Sequence, residues 1–412
     1  MLTRRNLLSG TVLAGAALAT RRKATAAPRA AAKPTNLVVP NGSVLPGKLV
    51  AGVRVFHLRA EPVKHQIAPG LDLAAWGYNG STPGPVIEAT EGERVRIYVT
   101  NRLPEATSIH WHGVFVPNGM DGVAGLTQAP IAPGRTFRYE FVFDRAGTFM
   151  YHPHADEMTQ IALGMMGAIV VHPRGGTRPT RDYVLFAHES KVPIGARRAD
   201  PLAMTDFNVL TFNGKAFPAT DALVAEVGDV VRIRFANLGP MEHHPIHLHG
   251  HAFEVVATDG GDIPRSARIP ETTVLVPVGT TRTIELVARQ PGDWPLHCHM
   301  THHAMNQMGH EAANLVGADT SGLDAKLGRV VPGYMTMGQS GMGDMMAMQQ
   351  PANSISMVGG KGPHGMIDMG GMFTLLKIRD RLSGDPGWYD APPATVATEA
   401  TADELGRDGI DT

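Results

Sequence analysis

An internal repeat constrains the fold of this 412-residue chain more than any other feature. Residues 79–113 align with residues 213–250, and residues 134–154 align with residues 279–299. In both copies, short runs rich in Val, Ile and Thr alternate with Gly and Pro, which is typical of strands joined by turns. Two copies of one unit of about 130 residues therefore predict an all-β chain with two β-sandwich domains, at residues 45–175 and 180–320.

Four short histidine blocks lie inside the repeat. They are His110-Trp111-His112, His152-Pro153-His154, His244-Pro245-Ile246-His247-Leu248-His249 and His297-Cys298-His299. Cys298 is the only cysteine, so it forms no intramolecular disulfide. Because neighbouring side chains on a strand point to opposite faces, Cys298 would face one metal while His297 and His299 face others. A thiolate with two imidazoles and a weak thioether is a blue-copper ligand set, which His303, Met308 and one more histidine would complete.

Together these four blocks resemble the multicopper oxidase family, which includes laccases, cuprous and ferrous oxidases and ascorbate oxidase. The resemblance covers roughly residues 45–315 and implies two cupredoxin-like Greek-key sandwiches that bind one type 1, one type 2 and two type 3 copper ions. It implies that the type 1 ligands are His244, Cys298 and His303, with Met308 axial. It assigns the type 2 copper to His110 and His247. It assigns the type 3 pair to His112, His152, His154, His249, His297 and His299.

The same resemblance implies how electrons and protons would travel. Cys298 would pass electrons to the cluster through its peptide neighbours His297 and His299, a covalent path of a few bonds. Asp121 resembles the family's acidic residue near the type 2 copper and would serve proton delivery, although a surface Asp-Gly turn is the other interpretation. Met308 follows Cys298 at the family's axial spacing, although a lone methionine is also a common core residue.

The repeat assigns the blue site to the second domain alone. The four blue-site positions carry other residues in the first copy, namely Pro153 for Cys298, Thr107 for His244, Met158 for His303 and Leu163 for Met308. The first domain therefore keeps the type 2 and type 3 histidines but has no type 1 site.

The spacing of the blocks bears on assembly. The stretch between His154 and His244 is too short for the middle domain that three-domain relatives insert. The resemblance to two-domain members of the family implies a homotrimer with clusters between neighbouring subunits, because a head-to-tail interface can close into a ring. A monomer with an intrachain cluster is the alternative.

Residues 1–30 predict a twin-arginine signal peptide. Arg4-Arg5 precedes a weakly hydrophobic Ala/Gly-rich run, and Ala24-Thr25-Ala26 offers a cleavage site. We therefore expect a periplasmic or extracellular protein, with a disordered basic N-terminus as the alternative. No stretch is long and apolar enough to predict a membrane span. The net charge of -1 gives no sign of a nucleic-acid partner.

Residues 335–372 hold ten of the 21 methionines and lack a helical or strand period, so we expect a flexible loop. Because thioethers select Cu(I), the segment predicts cuprous-ion capture near the blue site. A low-complexity or promiscuous hydrophobic surface is the alternative. Phe373–Arg379 is expected to form a final strand, and the chain after Asp385 is expected to be loose.

These features predict an enzyme that oxidises its substrate one electron at a time and reduces dioxygen to water. The expected reductants are Cu(I) and small phenols, with a role in copper tolerance. One alternative is a general two-domain laccase for phenols or aromatic amines. The other is a copper-binding protein without turnover.

Overall fold

The computed structural model describes residues 37–175, 178–306, 352–357 and 359–412, and the single residues 322, 326, 329 and 330. Within these ranges the chain is nearly all β, which confirms the predicted fold class. Its α-helices are short: α1 is Glu157–Ala162 and α2 is Ala402–Asp408. No helix among the described residues has the length and apolar character needed to cross a membrane. The predicted signal peptide, Met308 and residues 335–351 lie outside the described residues.

The first sandwich consists of two sheets over one core. One sheet has the strands β2 (Lys48–Val50), β3 (Val53–Ala68), β4 (Leu71–Tyr78), β6 (Arg94–Asn101) and β8 (Thr136–Val142). Their order is β2-β3-β6-β8, with β4 beside β3. The other sheet has the order β5-β10-β9-β7. Its strands are β5 (Ile87–Thr90), β7 (His110–His112), β9 (Gly147–His152) and β10 (Gly167–His172). Trp111, Tyr78 and Phe141 are among the large side chains buried between the sheets.

The second sandwich is built in the same way. Its larger sheet has the strands β1 (Leu37–Val38), β11 (Arg181–Ser190), β12 (Val209–Phe212), β14 (Val230–Asn237), β16 (Phe253–Thr258), β17 (Gly261–Asp262), β18 (Pro270–Glu271) and β20 (Thr280–Val287). Their order is β1-β11-β14-β20-β16-β17, with β12 beside β11 and β18 beside β16. The smaller sheet has the order β13-β24-β21-β15-β19. Its strands are β13 (Leu223–Glu226), β15 (His244–Leu248), β19 (Thr273–Val276), β21 (Gly292–Cys298) and β24 (Phe373–Arg379).

The sequence repeat is also a repeat of turn geometry. Asn79-Gly80 and Asn213-Gly214 both have positive φ, 53° and 81° in the first turn and 48° and 72° in the second. Such two-residue turns favour Asn-Gly, because Gly and Asn tolerate the left-handed region best. In both copies the Asn side chain accepts a hydrogen bond from a backbone N–H on the strand beside the turn. The same local chemistry therefore closes the same hairpin twice.

The two sandwiches pack against each other through β9, β14 and β20. The buried Arg234 forms an ion pair with Asp182 at 2.7 Å and donates a hydrogen bond to Thr148 Oγ1 at 2.9 Å. Thr281 Oγ1 donates to the Thr148 carbonyl at 2.9 Å. These contacts help to join the described residues into one compact unit. The predicted domain boundaries stay a prediction.

The C-terminal region agrees with one expectation and corrects two. Phe373–Arg379 is a strand, as predicted, and it lies between β13 and β21. The tail, expected to be loose, is anchored as far as Tyr389. The Tyr389 N–H donates a hydrogen bond to Asp293, and Arg379 binds both Asp293 and the Gly387 carbonyl. The expected methionine loop is likewise not free at its end. Met372 is buried, and the small hairpin of β22 (Lys361–Gly362) and β23 (Gly365–Met366) precedes it.

Candidate metal centre

Three predicted ligands meet in the core of the second sandwich. His244 begins β15, Cys298 ends β21, and His303 lies in the 3-10 turn that follows. Cys298 Sγ is 3.4 Å from His303 Nδ1 and 3.8 Å from His244 Nδ1, and the two nitrogens are 3.2 Å apart. All three side chains are buried. Their donor atoms therefore converge on one point that a single metal ion would fill.

The protonation of these side chains suits a metal ion. Burial, followed by repulsion from His244, lowers the pKa of His303 to about 4, so its imidazole is neutral near pH 7. Burial raises the pKa of the Cys298 thiol to about 12. A thiolate at this position therefore requires a bound cation to stabilise it.

Carboxylates contact the far nitrogens of both histidines. His244 Nε2 lies 3.2 Å from Glu189 Oε2, and His303 Nε2 pairs with Glu242. A carboxylate accepts the N–H of an imidazole and so leaves the other nitrogen free to bind metal. Sequence reasoning missed both residues. Glu242 is two positions before His244 and could have been suspected from that, whereas Glu189 has no local signal.

Asn237 holds the loop that leads into His244. Its side chain accepts the Gly239 N–H at 2.9 Å and donates to the carbonyls of Glu242 at 2.8 Å and Val276 at 3.1 Å. Asn101 makes the equivalent three hydrogen bonds in the first copy, all at 2.7 or 2.8 Å. The loop geometry therefore belongs to the repeated scaffold and does not depend on the metal site.

The first sandwich presents a group of four histidines, His110, His112, His152 and His154, which we call the first quartet. His112 Nδ1 lies 3.2 Å from His152 Nε2, and the rings in contact have centroids 5.4 to 6.4 Å apart. His110 Nδ1 donates to the Asp121 carbonyl at 2.8 Å, and the Asp121 carboxylate is 3.4 Å away. Burial lowers the pKa of His152 to about 3, so this side chain is a neutral ligand near pH 7.

The first quartet opens into a cavity of about 670 Å³. Leu238, Gly239 and Gly279 of the second sandwich form part of its wall. Glu157 also lines it, with one carboxylate oxygen 3.3 Å from His152 Nδ1 and the other 3.7 Å from His154 Nε2. Sequence reasoning missed Glu157, although its position three residues after His154 was a usable signal.

The second sandwich presents the second quartet, His247, His249, His297 and His299. Its ring contacts have centroids 4.9 to 5.8 Å apart, and His249 Nε2 lies 3.1 Å from His297 Nε2. His297 Nδ1 donates to the Cys298 carbonyl at 2.9 Å. His297 therefore turns its other nitrogen toward this quartet while the Cys298 sulfur faces His244 and His303.

The two quartets are carried by strands of different sandwiches. Among the described residues, no hydrogen bond or ring contact links a histidine of one quartet to a histidine of the other. The cavity beside the first quartet is lined in part by loops at the ends of β14 and β20, in the larger sheet. The second quartet is carried by β15 and β21, in the smaller sheet. Each quartet is therefore a separate group of four histidines among the described residues.

The donor chemistry fits copper in all three places. Neutral imidazoles suit copper ions, and a buried thiol beside two imidazoles is the blue-copper set. Burial lowers the pKa of His112, His249 and His297 as well, which keeps these imidazoles in the form that binds metal. Assignment of each residue as a copper ligand stays a prediction, and Met308 lies outside the described residues.

Family models and similar proteins of known sequence both point to copper oxidases. Two family models described as multicopper oxidase match residues 60–176 and 193–317. The chain is 31% identical over 300 residues to Laccase-1 of Botryotinia fuckeliana, covering 64% of this chain and 52% of that protein. It is 43% identical over 105 residues to Copper resistance protein A of Pseudomonas syringae pv. tomato, covering 26% of this chain and 17% of that protein.

The fold is likewise similar to solved structures. Blue Copper Oxidase from Nitrosomonas europaea matches with a TM-score of 0.61 and 25% identity, covering 82% of this chain and 89% of that chain. The curated relatives that match are longer proteins, since the matched region spans between 30% and 52% of the length of the first three. Both sandwiches thus fall within one known family of copper proteins.

Proposed function

This chain belongs to the multicopper oxidase family, and we propose that it couples one-electron oxidation of a reductant to the reduction of dioxygen to water. The observation that carries this proposal is the position of Cys298. Its sulfur points at His244 and His303, while its neighbours His297 and His299 belong to the second quartet. A single peptide segment therefore joins the two kinds of site.

We assign the ligands as the family resemblance implies. Copper, when bound, supplies a one-electron carrier at Cys298 and an oxygen-reducing cluster at the quartets. His244, Cys298 and His303 would hold the type 1 copper, with Met308 as a further ligand. The type 2 ligands are His110 and His247. The type 3 ligands are His112, His152, His154, His249, His297 and His299. Asp121 lies beside His110 and would hold a proton at the type 2 end of the cluster.

The division of the quartets supports a homotrimer with clusters between subunits. Each chain has two half-sites on different sheets, and head-to-tail contacts pair the first half-site of one copy with the second of the next. An intrachain cluster in a monomer would require the two quartets to meet within one chain.

Mixing two inactive variants tests this assembly. One variant carries His110→Ala and His112→Ala, and the other carries His247→Ala and His249→Ala. Random co-assembly restores about a quarter of the clusters if they form between subunits, and none if they form within a chain. Oxygen uptake by the co-expressed variants, with light scattering for the mass, gives the answer. A monomer, or no recovered activity, would contradict the trimer.

We propose Cu(I) as a substrate, in copper tolerance, with phenols as weaker reductants. The support is the methionine segment and the similarity to Copper resistance protein A. Met357 and Met372 are buried and so are unsuited to ion capture. The proposal rests mainly on the methionines in the first part of the segment, outside the described residues, which are Met335, Met337, Met342, Met345, Met346 and Met348, while Met366 near its end is exposed.

Replacing those six methionines with leucine tests the substrate. We expect slower oxygen uptake with Cu(I) and unchanged uptake with a simple phenol. Met204→Leu is the control, because Met204 is exposed and lies elsewhere in the sequence. Equal rates with both reductants in all variants would favour a general laccase. No uptake by the fully copper-loaded protein would leave only a copper-binding role.

We also propose export by the twin-arginine route to the periplasm or the exterior. The support is the Arg4-Arg5 motif and the run that follows it. Replacing both arginines with lysine should retain the precursor inside the cell, as cell fractionation would show. Export of the variant at the normal rate would refute this route.

A further inference from the structure

Glu189 is a fully buried carboxylate that is hydrogen-bonded to His244, a proposed copper ligand. It lies on β11, and its side chain and that of His244 are both 0% exposed. Oε2 is 3.2 Å from His244 Nε2, and Oε1 accepts the backbone N–H groups of Met241 at 3.0 Å and Glu242 at 2.9 Å. Burying a carboxylate is costly unless hydrogen bonds compensate it, and here both oxygens have partners.

These contacts indicate an ionised carboxylate. All three partners can act as donors, so the carboxylate needs no proton of its own to satisfy them. His244 then carries its proton on Nε2 and presents the Nδ1 lone pair to the Cys298 site.

The first sandwich lacks this carboxylate together with the metal site. Ala60 on β3 is paired with Asn101, and Ala187 on β11 is paired with Asn237, so the two strands occupy the same place in the repeat. Two residues further along each strand, Pro62 stands where Glu189 stands. The carboxylate is therefore not a requirement of the sandwich scaffold.

We propose that Glu189 is a positioning residue that sets the reduction potential of the Cys298 site. It fixes the tautomer of His244, and its negative charge favours Cu(II) over Cu(I). The proposal rests on the copper assignment made above. A lower potential restricts the enzyme to easily oxidised reductants, of which Cu(I) is one.

The test is a redox titration of the thiolate-to-copper absorption band in the full-length, copper-loaded protein. Glu189→Gln removes the charge and keeps the size. We expect the ratio of Cu(I) to Cu(II) at a fixed potential to rise about tenfold, a shift of roughly 59 mV upward for one electron. Ser190→Ala, at the next position of the same strand, is the control and should leave the potential unchanged.

A second variant keeps the proposal testable if Glu189→Gln loses copper. A Cβ at Gly239 would lie 1.8 Å from Glu189 Oε2, so Gly239→Ala must displace the carboxylate while its charge is kept. An upward shift in Gly239→Ala supports the proposal. An unchanged potential in the variants, or an equal shift in Ser190→Ala, overturns it. A wild-type protein without the absorption band would refute the copper assignment itself.

Discussion

The two sandwiches share one scaffold, but among the described residues the fully buried set of three candidate metal ligands lies in the second. Where the second has His244, the first has Thr107, whose hydroxyl donates to Gln160 at 2.6 Å. Gln160 in turn donates to the Ala106 carbonyl at 2.9 Å, so these side chains satisfy each other without a metal. The same core position therefore holds two side chains that hydrogen-bond to each other in the first sandwich, and a candidate metal ligand in the second.

The comparison separates scaffold from site. The Asn-Gly turns and the loop hydrogen bonds of Asn101 and Asn237 are present in both copies, whereas Cys298 and Glu189 occur in one. If scaffold and site are separable in this way, changes to scaffold residues should lower stability in either copy. Changes to site residues should alter copper binding and leave the stability of the fold unchanged.

The largest effect on copper binding and oxygen uptake is expected from Cys298→Ser. The hydroxyl is a poor copper ligand beside two imidazoles, so the variant should lose the thiolate-to-copper band and all oxygen uptake. Copper analysis should show a loss confined to the type 1 ion, because the quartets keep their histidines. Thr107→Ser, in the copy without the site, should keep the band. A blue Cys298→Ser protein would show that the sulfur is not a ligand.

A matched pair of loop substitutions should give the next largest effect. Asn101→Ala and Asn237→Ala each remove three hydrogen bonds, and each should lower the free energy of unfolding by about 2–3 kcal/mol. Only Asn237→Ala should also change the copper band, because its loop leads into His244. Denaturant unfolding and absorption spectra measure the two effects. A change of the band in Asn101→Ala would break the comparison.

The smallest effect is expected from an ion pair present in both copies. Arg96 binds Glu140 at 2.7 Å, and Arg232 binds Glu285 at the equivalent place. The hydrogen bond from Arg96 lowers the pKa of Glu140 below its ordinary value of 4.5. The pair therefore stabilises the fold above pH 4.5, and this contribution is lost as the pH falls through the lowered pKa.

Thermal unfolding of Glu140→Gln across pH 3 to 7 would measure this contribution. Wild type should be slightly more stable at neutral pH, and the two proteins should converge in acid. The copper band should be the same in both. A difference that grows as the pH falls would contradict the assigned direction.

The sequence predicted much of the fold because its signals are local. Asn-Gly turns, Gly and Pro punctuation and repeated Val/Ile/Thr runs act within a few residues, so they predict strands and turns directly. The final strand was found in the same way. The tail after Asp385 was expected to be loose from its Asp/Thr/Ala-rich composition, and its contact at Tyr389 was missed because the partner, Asp293, is distant in sequence. Burial of Met372 was missed for a similar reason, since the core residues of the second sandwich that surround it are distant in sequence.

The family resemblance in the sequence also named His244 and His303 as the side chains that meet at Cys298, and the structure places both beside its sulfur. Alternation along a strand separates Cys298 from His297 and His299, and the repeat identifies the copy that has lost these ligands. Only the tertiary structure revealed the carboxylate of Glu189 and the separation of the two quartets. Glu189 reaches His244 across 55 positions of sequence, between two sheets, and no local pattern encodes such a contact. Packing decides it, because the distance between strands of facing sheets is set by the whole core.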